Sequence, residues 1–204
     1  MNNISVLVSG VGINDADYTV TINETVSGRK KQVWVCPIYS TWKHVIERCY
    51  SREFQKRCPT YAGCEVVPEW KVFSGFRSWM MTQDYAGKQL DKDLLVPGNK
   101  IYGPDTCVFL PSEVNSFLTE NKSSRGPWAV GVCWNKWRKK FHARCKNPFS
   151  GKTENLGYFD SEHEAHSAWK ARKNELACEY ASIEKNPIVA RALRTRYANS
   201  YLTS

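Results

Sequence analysis

The chain has 204 residues, of which 29 are Lys or Arg and 20 are Asp or Glu, so its formal net charge is 29 − 20 = +9. A hydrophobic fraction of 42% with eight tryptophans supplies enough apolar surface for a packed core and excludes a disordered polyampholyte. No segment approaches the roughly 20 apolar residues of a membrane span, and the first residues lack the pattern of a signal peptide. We therefore expect an intracellular, cytoplasmic protein that is not secreted and has no membrane partner.

The net charge is concentrated in one part of the chain. Residues 1–121 hold 13 Lys+Arg and 13 Asp+Glu, whereas residues 122–204 hold 16 and 7, which gives 16 − 7 = +9. This asymmetry predicts that the second part binds a polyanion, and nucleic acid is the first choice. A basic helix on a membrane surface is the alternative. It ranks lower because the basic residues alternate with apolar ones as they do in strands.

The eight cysteines raise the question of disulfides or zinc. None of them forms a C-x-x-C pair, and without a secretory signal the thiols are expected to be reduced. Cys58 and Cys64, with Cys49 and His44, are the one cluster worth testing for zinc. We do not expect zinc there, because zinc sites usually contain at least one close pair of ligands.

In the first part of the chain, two alternating segments flank Ser27-Gly28, and this pattern predicts two strands around a turn. From Tyr39 onward, a helix is predicted by the spacing of Trp42, Val45, Ile46 and Cys49. A second helical face is predicted by the spacing of Trp70, Phe73, Phe76, Trp79 and Met80.

Residues 89–118 contain two apolar runs on either side of Pro97-Gly98-Asn99, a strong turn signal. We read these runs as the two strands of a hairpin. Ser112 follows Pro111 and is placed to cap a helix that carries Val114, Phe117 and Leu118.

The basic second part begins after a polar segment without periodicity. Three strand-like runs follow, and in the middle one Lys140, His142, Arg144 and Lys146 alternate with apolar residues, so that one face of the strand is basic. Ser161 and Glu164 have the spacing of a capping box at the start of a helix that should pack on the apolar face. A further helix is predicted after Asn186-Pro187.

The segments TWKHVIERCY (41–50), YAGCEVVPEW and LDKDLLVPGNKIYGPDTC together resemble the HNH nucleases of phage and intron homing endonucleases. By that resemblance, Asp91 and Asn115 are metal ligands for Mg²⁺ or Mn²⁺. Lys92 stands where the family has its histidine general base, and Thr106 stands where the family has a buttressing asparagine. Oxygen ligands suit such a hard cation.

The replacement at position 92 bears on catalysis. An imidazole with a pKa near 6.5 accepts a proton from water at neutral pH, whereas an ordinary lysine with a pKa of about 10.4 does not. Lys92 would then either stabilise the phosphate by its charge, with water activated by the metal, or have its pKa lowered by a neighbouring cation. Loss of a general base typically costs about 10²–10⁴-fold in rate. His44 on the preceding helix is a candidate participant, although a lone helix histidine is more often a surface residue. Asp93 either shares the cation with Asp91 or stabilises the turn, and both readings stay open.

The segments GVCWNKWRKKFHARC and GKTENLGYFDSEHEAHSAW resemble the ERF/APETALA-type DNA-binding domain, in which a three-stranded sheet enters the major groove. The resemblance implies duplex DNA as the partner and a binding footprint of Trp134, Lys136, Arg138, Lys140, His142 and Arg144. Arg125 in the linker would reach a phosphate as a flexible arm. The alternative for Trp134 is a position in the core of the domain. Because this footprint is cationic, affinity should fall steeply with salt.

These observations predict an α+β protein with a degenerate ββα-metal half, then a three-stranded antiparallel sheet packed on a helix, and a C-terminal helix. The domains expected are N-terminal strands (1–36), an HNH-like nuclease domain (37–121), a linker (122–127), an ERF/APETALA-type domain (128–185) and a basic C-terminal helix (186–204). The function expected is a metal-dependent DNA endonuclease or nickase without a small-molecule cofactor. The alternative is a catalytically decayed HNH protein that regulates by binding DNA.

Overall fold

The computed structural model of the protein describes residues 7–119 and 127–198, so most of the predicted linker lies outside the described residues. The chain divides into two compact units, Met1–Phe109 and Leu110–Ser204. Helices and small sheets alternate in both units, which confirms the α+β class. In the described part of the chain, none of the helices combines the length and the apolar character needed to cross a membrane.

The first unit begins with an antiparallel strand pair. Strands β1 (Thr21–Val26) and β2 (Arg29–Val35) are joined by a two-residue turn in which Ser27 and Gly28 have φ values of 51° and 75°. Two consecutive residues at positive φ are typical of the tight turns whose twist matches that of the flanking strands. The predicted turn at Ser27-Gly28 is confirmed.

The core of the first unit is built around helix α1 (Pro37–Tyr50), which buries the predicted face of Trp42, Val45, Ile46 and Cys49. The Trp42 indole nitrogen donates to the Trp70 carbonyl at 2.7 Å, so the polar atom of a fully buried ring is satisfied. Helix α2 (Arg52–Arg57), strand β3 (Glu65–Val66) and helix α3 (Phe73–Met80) follow. In α3 only a glycine fits at position 75, because a Cβ there would lie 2.2 Å from a backbone carbonyl oxygen.

The predicted hairpin across Pro97-Gly98-Asn99 is wrong in its pairing. Strand β4 (Gln89–Asp91) pairs with β6 (Val108–Leu110), while the intervening β5 (Ile101–Tyr102) runs parallel to β3. The residues after Asn99 therefore leave the loop to join another strand. The turn forms at Pro97-Gly98 as its residues predict. Which strands pair is decided by contacts with distant parts of the chain.

The second unit contains helix α4 (Ser112–Leu118), followed by strands β7 (Val132–Asn135), β8 (Lys140–Lys146) and β9 (Thr153–Phe159), which form one antiparallel sheet with β8 in the centre. Helices α5 (Glu162–Ile183) and α6 (Pro187–Arg196) follow. The sheet and both helices are confirmed. The division between the units falls ahead of α4, whereas the sequence assigned that helix to the nuclease half.

Helix α5 covers one face of this sheet. Its start carries the predicted capping box, with Ser161 and Glu164 each bonding the other's backbone N–H. Gly131 lies against the helix so closely that a Cβ there would be 2.0 Å from the Trp169 ring. Arg172 of α5 donates to Glu154 of β9 at 2.6 Å, so α5 and the sheet are tied by a charged pair as well.

Candidate nucleic-acid interface and strand-helix site

Asp91 is the last residue of β4, and its carboxylate organises the loop that follows. One oxygen, Oδ1, accepts the backbone N–H groups of Asp93 at 3.0 Å and Leu94 at 2.7 Å. Bonds of this kind to following N–H groups are the usual way in which an aspartate closes a turn. The carboxylate is half-buried and fixed in orientation.

Lys92 is buried, with 8% of its surface exposed. Its ammonium donates to the Asp93 carboxylate at 2.7 Å and to the backbone carbonyl of Asn99 at 2.6 Å. The Asn99 side chain in turn donates to the backbone carbonyl of Lys92 at 3.1 Å and bonds both backbone groups of Ile101. We call the pair of Lys92 and Asn99 the loop clamp. A buried ammonium held by a carboxylate and a carbonyl stabilises the loop and is not arranged as a base.

Thr106, which by the resemblance stands where HNH nucleases have a buttressing asparagine, also holds this loop. Its hydroxyl donates to the Ile101 carbonyl at 2.7 Å, and its backbone N–H donates to the Gly103 carbonyl at 3.2 Å. Asn99 makes more of the hydrogen bonds that hold this loop than Thr106 does. The sequence analysis did not predict Asn99 as a site residue. The signal was its place directly after Pro97-Gly98, where an asparagine side chain commonly bonds nearby backbone groups.

His44 is exposed on α1. The face of α1 that packs on the core is centred on Trp42 and Ile46, and a residue two positions after Trp42 points to the opposite side of a helix. Leu90, next to Asp91, belongs to the core that α1 covers. The structure therefore turns His44 away from the side on which the β4 strand lies.

The carboxylates near Asp91 decide how well the site suits a divalent cation. Asp91 suits Mg²⁺, which is held by one or two carboxylates together with substrate phosphate oxygens. Asp93 does not, because the Lys92 ammonium already lies 2.7 Å from its carboxylate oxygen. Asn115, the other ligand that the resemblance implies, lies on α4 in the second unit, where its carbonyl accepts bonds from Thr119.

Cys49 and Cys64 of the cysteine cluster are buried in the core, and Cys58 is partly exposed. Burial raises the pKa of the Cys49 thiol to about 12, with Cys64 as the next cause, so Cys49 stays protonated at neutral pH. Within residues 7–119 and 127–198, no group of three or more His, Cys, Asp and Glu side chains is arranged to hold a metal ion.

In the second unit, the face of the sheet opposite α5 carries the alternating residues of β8. Ala143 and Cys145 are buried, whereas Arg144 and Lys146 are exposed. We call the surface formed by Cys133, Asn135, Lys140, His142, Arg144, Lys146, Asn155 and Tyr158 the basic face. A β-bulge that leaves Leu156 unpaired places Asn155 opposite Arg144.

His142 lies in the middle of the basic face and is held on two sides. Its ring stacks on Tyr158 with centroids 4.4 Å apart, and its Nε2 lies 2.9 Å from the Asn155 carboxamide oxygen. The Arg138 guanidinium covers the same Tyr158 ring at 4.4 Å. Stacking and hydrogen bonding fix these side chains before any ligand arrives.

Lys140 is partly neutralised at this surface. Its ammonium lies 3.0 Å from the Asp160 carboxylate, so less of its charge is available than that of Arg144. Lys136 is exposed in the turn between β7 and β8. Arg125 lies outside the described residues.

Trp134 is on the opposite side of the sheet from His142. It pairs across the strands with Phe141, and the two rings meet edge to face at 4.8 Å, with Trp128 alongside Phe141 at 5.1 Å. The structure thus groups Trp134 with the α5 side of the sheet and separates it from the other residues of the predicted footprint.

A different tryptophan lies next to the basic face. Trp137 is at the tip of the β7–β8 turn and is 97% exposed. The turn is shaped by Asn135, whose carboxamide oxygen accepts the Arg138 N–H at 2.9 Å, and by Lys139 at a φ of 50°. Sequence reasoning missed Trp137. Its signal was a tryptophan enclosed by charged residues within a turn, where no strand position can bury it.

Comparison with protein-family models, with curated proteins and with solved structures finds no match for this chain.

Proposed function

We propose that the protein binds duplex DNA through the basic face and the adjoining β7–β8 turn. This proposal rests on one observation: the two faces of the sheet differ, one being apolar and buried and the other cationic and exposed. Ala143 and Cys145 are buried on the α5 side, while Arg144 and Lys146 are exposed on the other. Such a one-sided cationic surface attracts phosphates and gains free energy by releasing their counterions.

The size of the sheet favours the major groove of DNA. Three strands spaced about 4.8 Å apart give a slab roughly 10 Å wide, and the major groove of B-DNA is about 12 Å wide. The major groove of A-form RNA is too narrow and deep for side chains on a sheet to read. Duplex DNA is therefore a better fit than duplex RNA.

The side chains on this surface suit different contacts. Arg144 is exposed and can donate two parallel hydrogen bonds to a guanine edge or to a phosphate. His142, held by Tyr158 and Asn155, offers a ring of fixed orientation. The exposed ring of Trp137 offers a flat apolar surface for a sugar or for the methyl group of a thymine.

The test is titration of a fluorescent 30-bp duplex with the full chain over a range of salt concentrations. Replacing Arg144 and Lys146 by alanine should reduce the slope of log affinity against log salt by up to about 1.8, since each phosphate contact contributes roughly 0.9. The matched control replaces Lys185 and Arg191, which are equally exposed cations of the same unit. Equal losses in both variants would contradict a specific role for the basic face.

A second candidate function is metal-dependent cleavage of DNA. It is favoured by the order of strand, paired strand and helix in β4, β6 and α4, with Asp91 at the end of the first strand. Asp91 would hold the cation, and the cation would supply charge neutralisation at the scissile phosphate. The loop clamp opposes this function, because Lys92 is occupied as a structural cation.

Nicking of supercoiled plasmid with Mg²⁺ or Mn²⁺, against a chelator, separates the two functions. Asp91→Asn keeps the acceptor for the loop N–H groups but removes the charge that would bind the cation. Asp105→Asn, in the loop between β5 and β6 and exposed, is the control. Nicking that Asp91→Asn alone abolishes would establish the nuclease. A duplex that is bound but intact with every metal would leave a DNA-binding protein on a decayed nuclease scaffold.

A further inference from the structure

The strand pair β1–β2, residues 21–35, has no buried residue in either strand, although it contains Ile22, Val26, Val33 and Trp34. We call this segment the arm. The sheet that it forms has two strands only. Isolated two-stranded hairpins are marginally stable in water, so an arm of this kind, exposed on both faces, gains most from a partner.

The charge of the arm indicates the chemistry of that partner. It holds three cations, Arg29, Lys30 and Lys31, directly after the turn, and one anion, Glu24, which gives 3 − 1 = +2 in a half of the chain that is otherwise close to neutral. All three cations are exposed. In the cross-strand register, Arg29 lies opposite Val26 and Lys30 opposite Thr25, whereas Lys31 lies opposite Glu24, the anion of the arm. Adjacent residues of a strand point to opposite faces, so the cations emerge on both faces of the arm.

We propose that the arm is a second DNA-binding element, which lies in the major groove with the three cations against the phosphates on either side. The inference rests on the proposed function, because it assigns the same partner to the first unit. A two-stranded ribbon is one of the two elements that the major groove of B-DNA admits. Strands of six and seven residues give a ribbon about 20 Å long, or roughly half a turn of the duplex.

Strand addition to another protein is the main competing use of an exposed ribbon. Two features of the arm disfavour it. Consecutive cations on an edge strand and a β-bulge near Ile22 are both devices that prevent edge-to-edge pairing. Cationic side chains on both faces suit a groove with phosphates on both walls.

The experiment compares two triple variants of the full chain. In the first, Arg29, Lys30 and Lys31 become alanine. In the matched control, the exposed cations of α2, Arg52, Lys56 and Arg57, become alanine, so the same charge is lost from the same unit. Binding to a 30-bp duplex is measured over a range of salt concentrations, and sedimentation reports the oligomeric state.

The arm variant should reduce the salt slope by up to about 2.7 and lower affinity in 0.1 M salt by about ten- to 500-fold, whereas the control should stay close to wild type. Wild-type binding with equal effects of both variants would overturn the arm inference and leave the proposed function standing. A wild-type protein that binds no duplex would overturn the proposed function itself. A change in oligomeric state with unchanged DNA affinity would identify the arm as a protein interface and also overturn the inference.

Discussion

Lys92 and Asn99 each donate a side-chain hydrogen bond to the other's backbone carbonyl, at 2.6 Å and 3.1 Å. This reciprocal pair closes the loop after β4 at its base. It also binds the ammonium of the residue that, by the resemblance to HNH nucleases, stands where they have their general base. Its burial and its two hydrogen bonds give Lys92 a structural role in this loop.

The first prediction concerns stability at this pair. Lys92→Met keeps the length of the side chain but leaves the Asn99 carbonyl and the Asp93 carboxylate without the ammonium, so the free energy of unfolding should fall by about 1–3 kcal/mol. Urea denaturation measures the change. Lys56→Met, which removes an exposed ion pair with Glu53, should cost no more than about 0.5 kcal/mol. A Lys92→Met protein of full stability that has lost plasmid nicking would show instead that the lysine is a catalytic residue.

The second prediction separates the two tryptophans of the first hairpin of the sheet. Trp137→Ala should weaken DNA binding by about 1–3 kcal/mol through the loss of buried apolar ring surface, without lowering the melting temperature, because the ring contacts solvent in the free protein. Trp134→Ala should lower the melting temperature, because its ring packs on Phe141. Duplex titration and thermal denaturation of both variants provide the two readouts. The assignment is wrong if Trp137→Ala binds as wild type does.

The third prediction concerns acid stability of the sheet and α5. Hydrogen bonds from Arg172, and then from Asn147, hold the pKa of Glu154 at about 2, below its ordinary value of 4.5. A depressed pKa in the folded state contributes stability above the unfolded pKa, and this contribution is lost as pH falls from about 4.5 to 2. Because the pair is partly exposed, its worth at pH 7 is about 1 kcal/mol.

Glu154→Gln tests this linkage. The variant should be less stable than wild type at pH 7, and the difference in urea midpoint should shrink as pH is lowered towards 2. Glu175→Gln is the control, since Glu175 also bonds Arg172 but is more exposed. A constant difference at all pH values would mean that the loss arises from packing and not from the charge.

The fourth prediction concerns the thiols. Burial raises the pKa of Cys49 to about 12 and that of Cys107 to about 11. At pH 8 their thiolate fractions are about 10⁻⁴ and 10⁻³, so neither should react with iodoacetamide in the native protein. Cys178 is exposed and should be modified first. Peptide mass spectrometry of native and urea-unfolded samples checks the order, and rapid native labelling of Cys49 would contradict it.

The amino-acid sequence by itself determined the elements whose signals are local. The turn at Ser27-Gly28 depends on two adjacent residues that accept positive φ, and the start of α5 depends on Ser161 and Glu164 within one helical turn. The basic face was predictable for the same reason. Alternation along β8 assigns Arg144 to the side opposite Ala143 before any partner strand is known.

Only the tertiary structure decided features that depend on which distant residues become neighbours. The pairing of β4 with β6, and not with the residues after Asn99, is a choice among strands that local turn chemistry cannot make. Trp134 shares a face with Phe141 because of the register of β7 on β8. Lys92, predicted to act on a phosphate by its charge, is instead buried and bound by Asn99, because the loop folds back on it over seven residues.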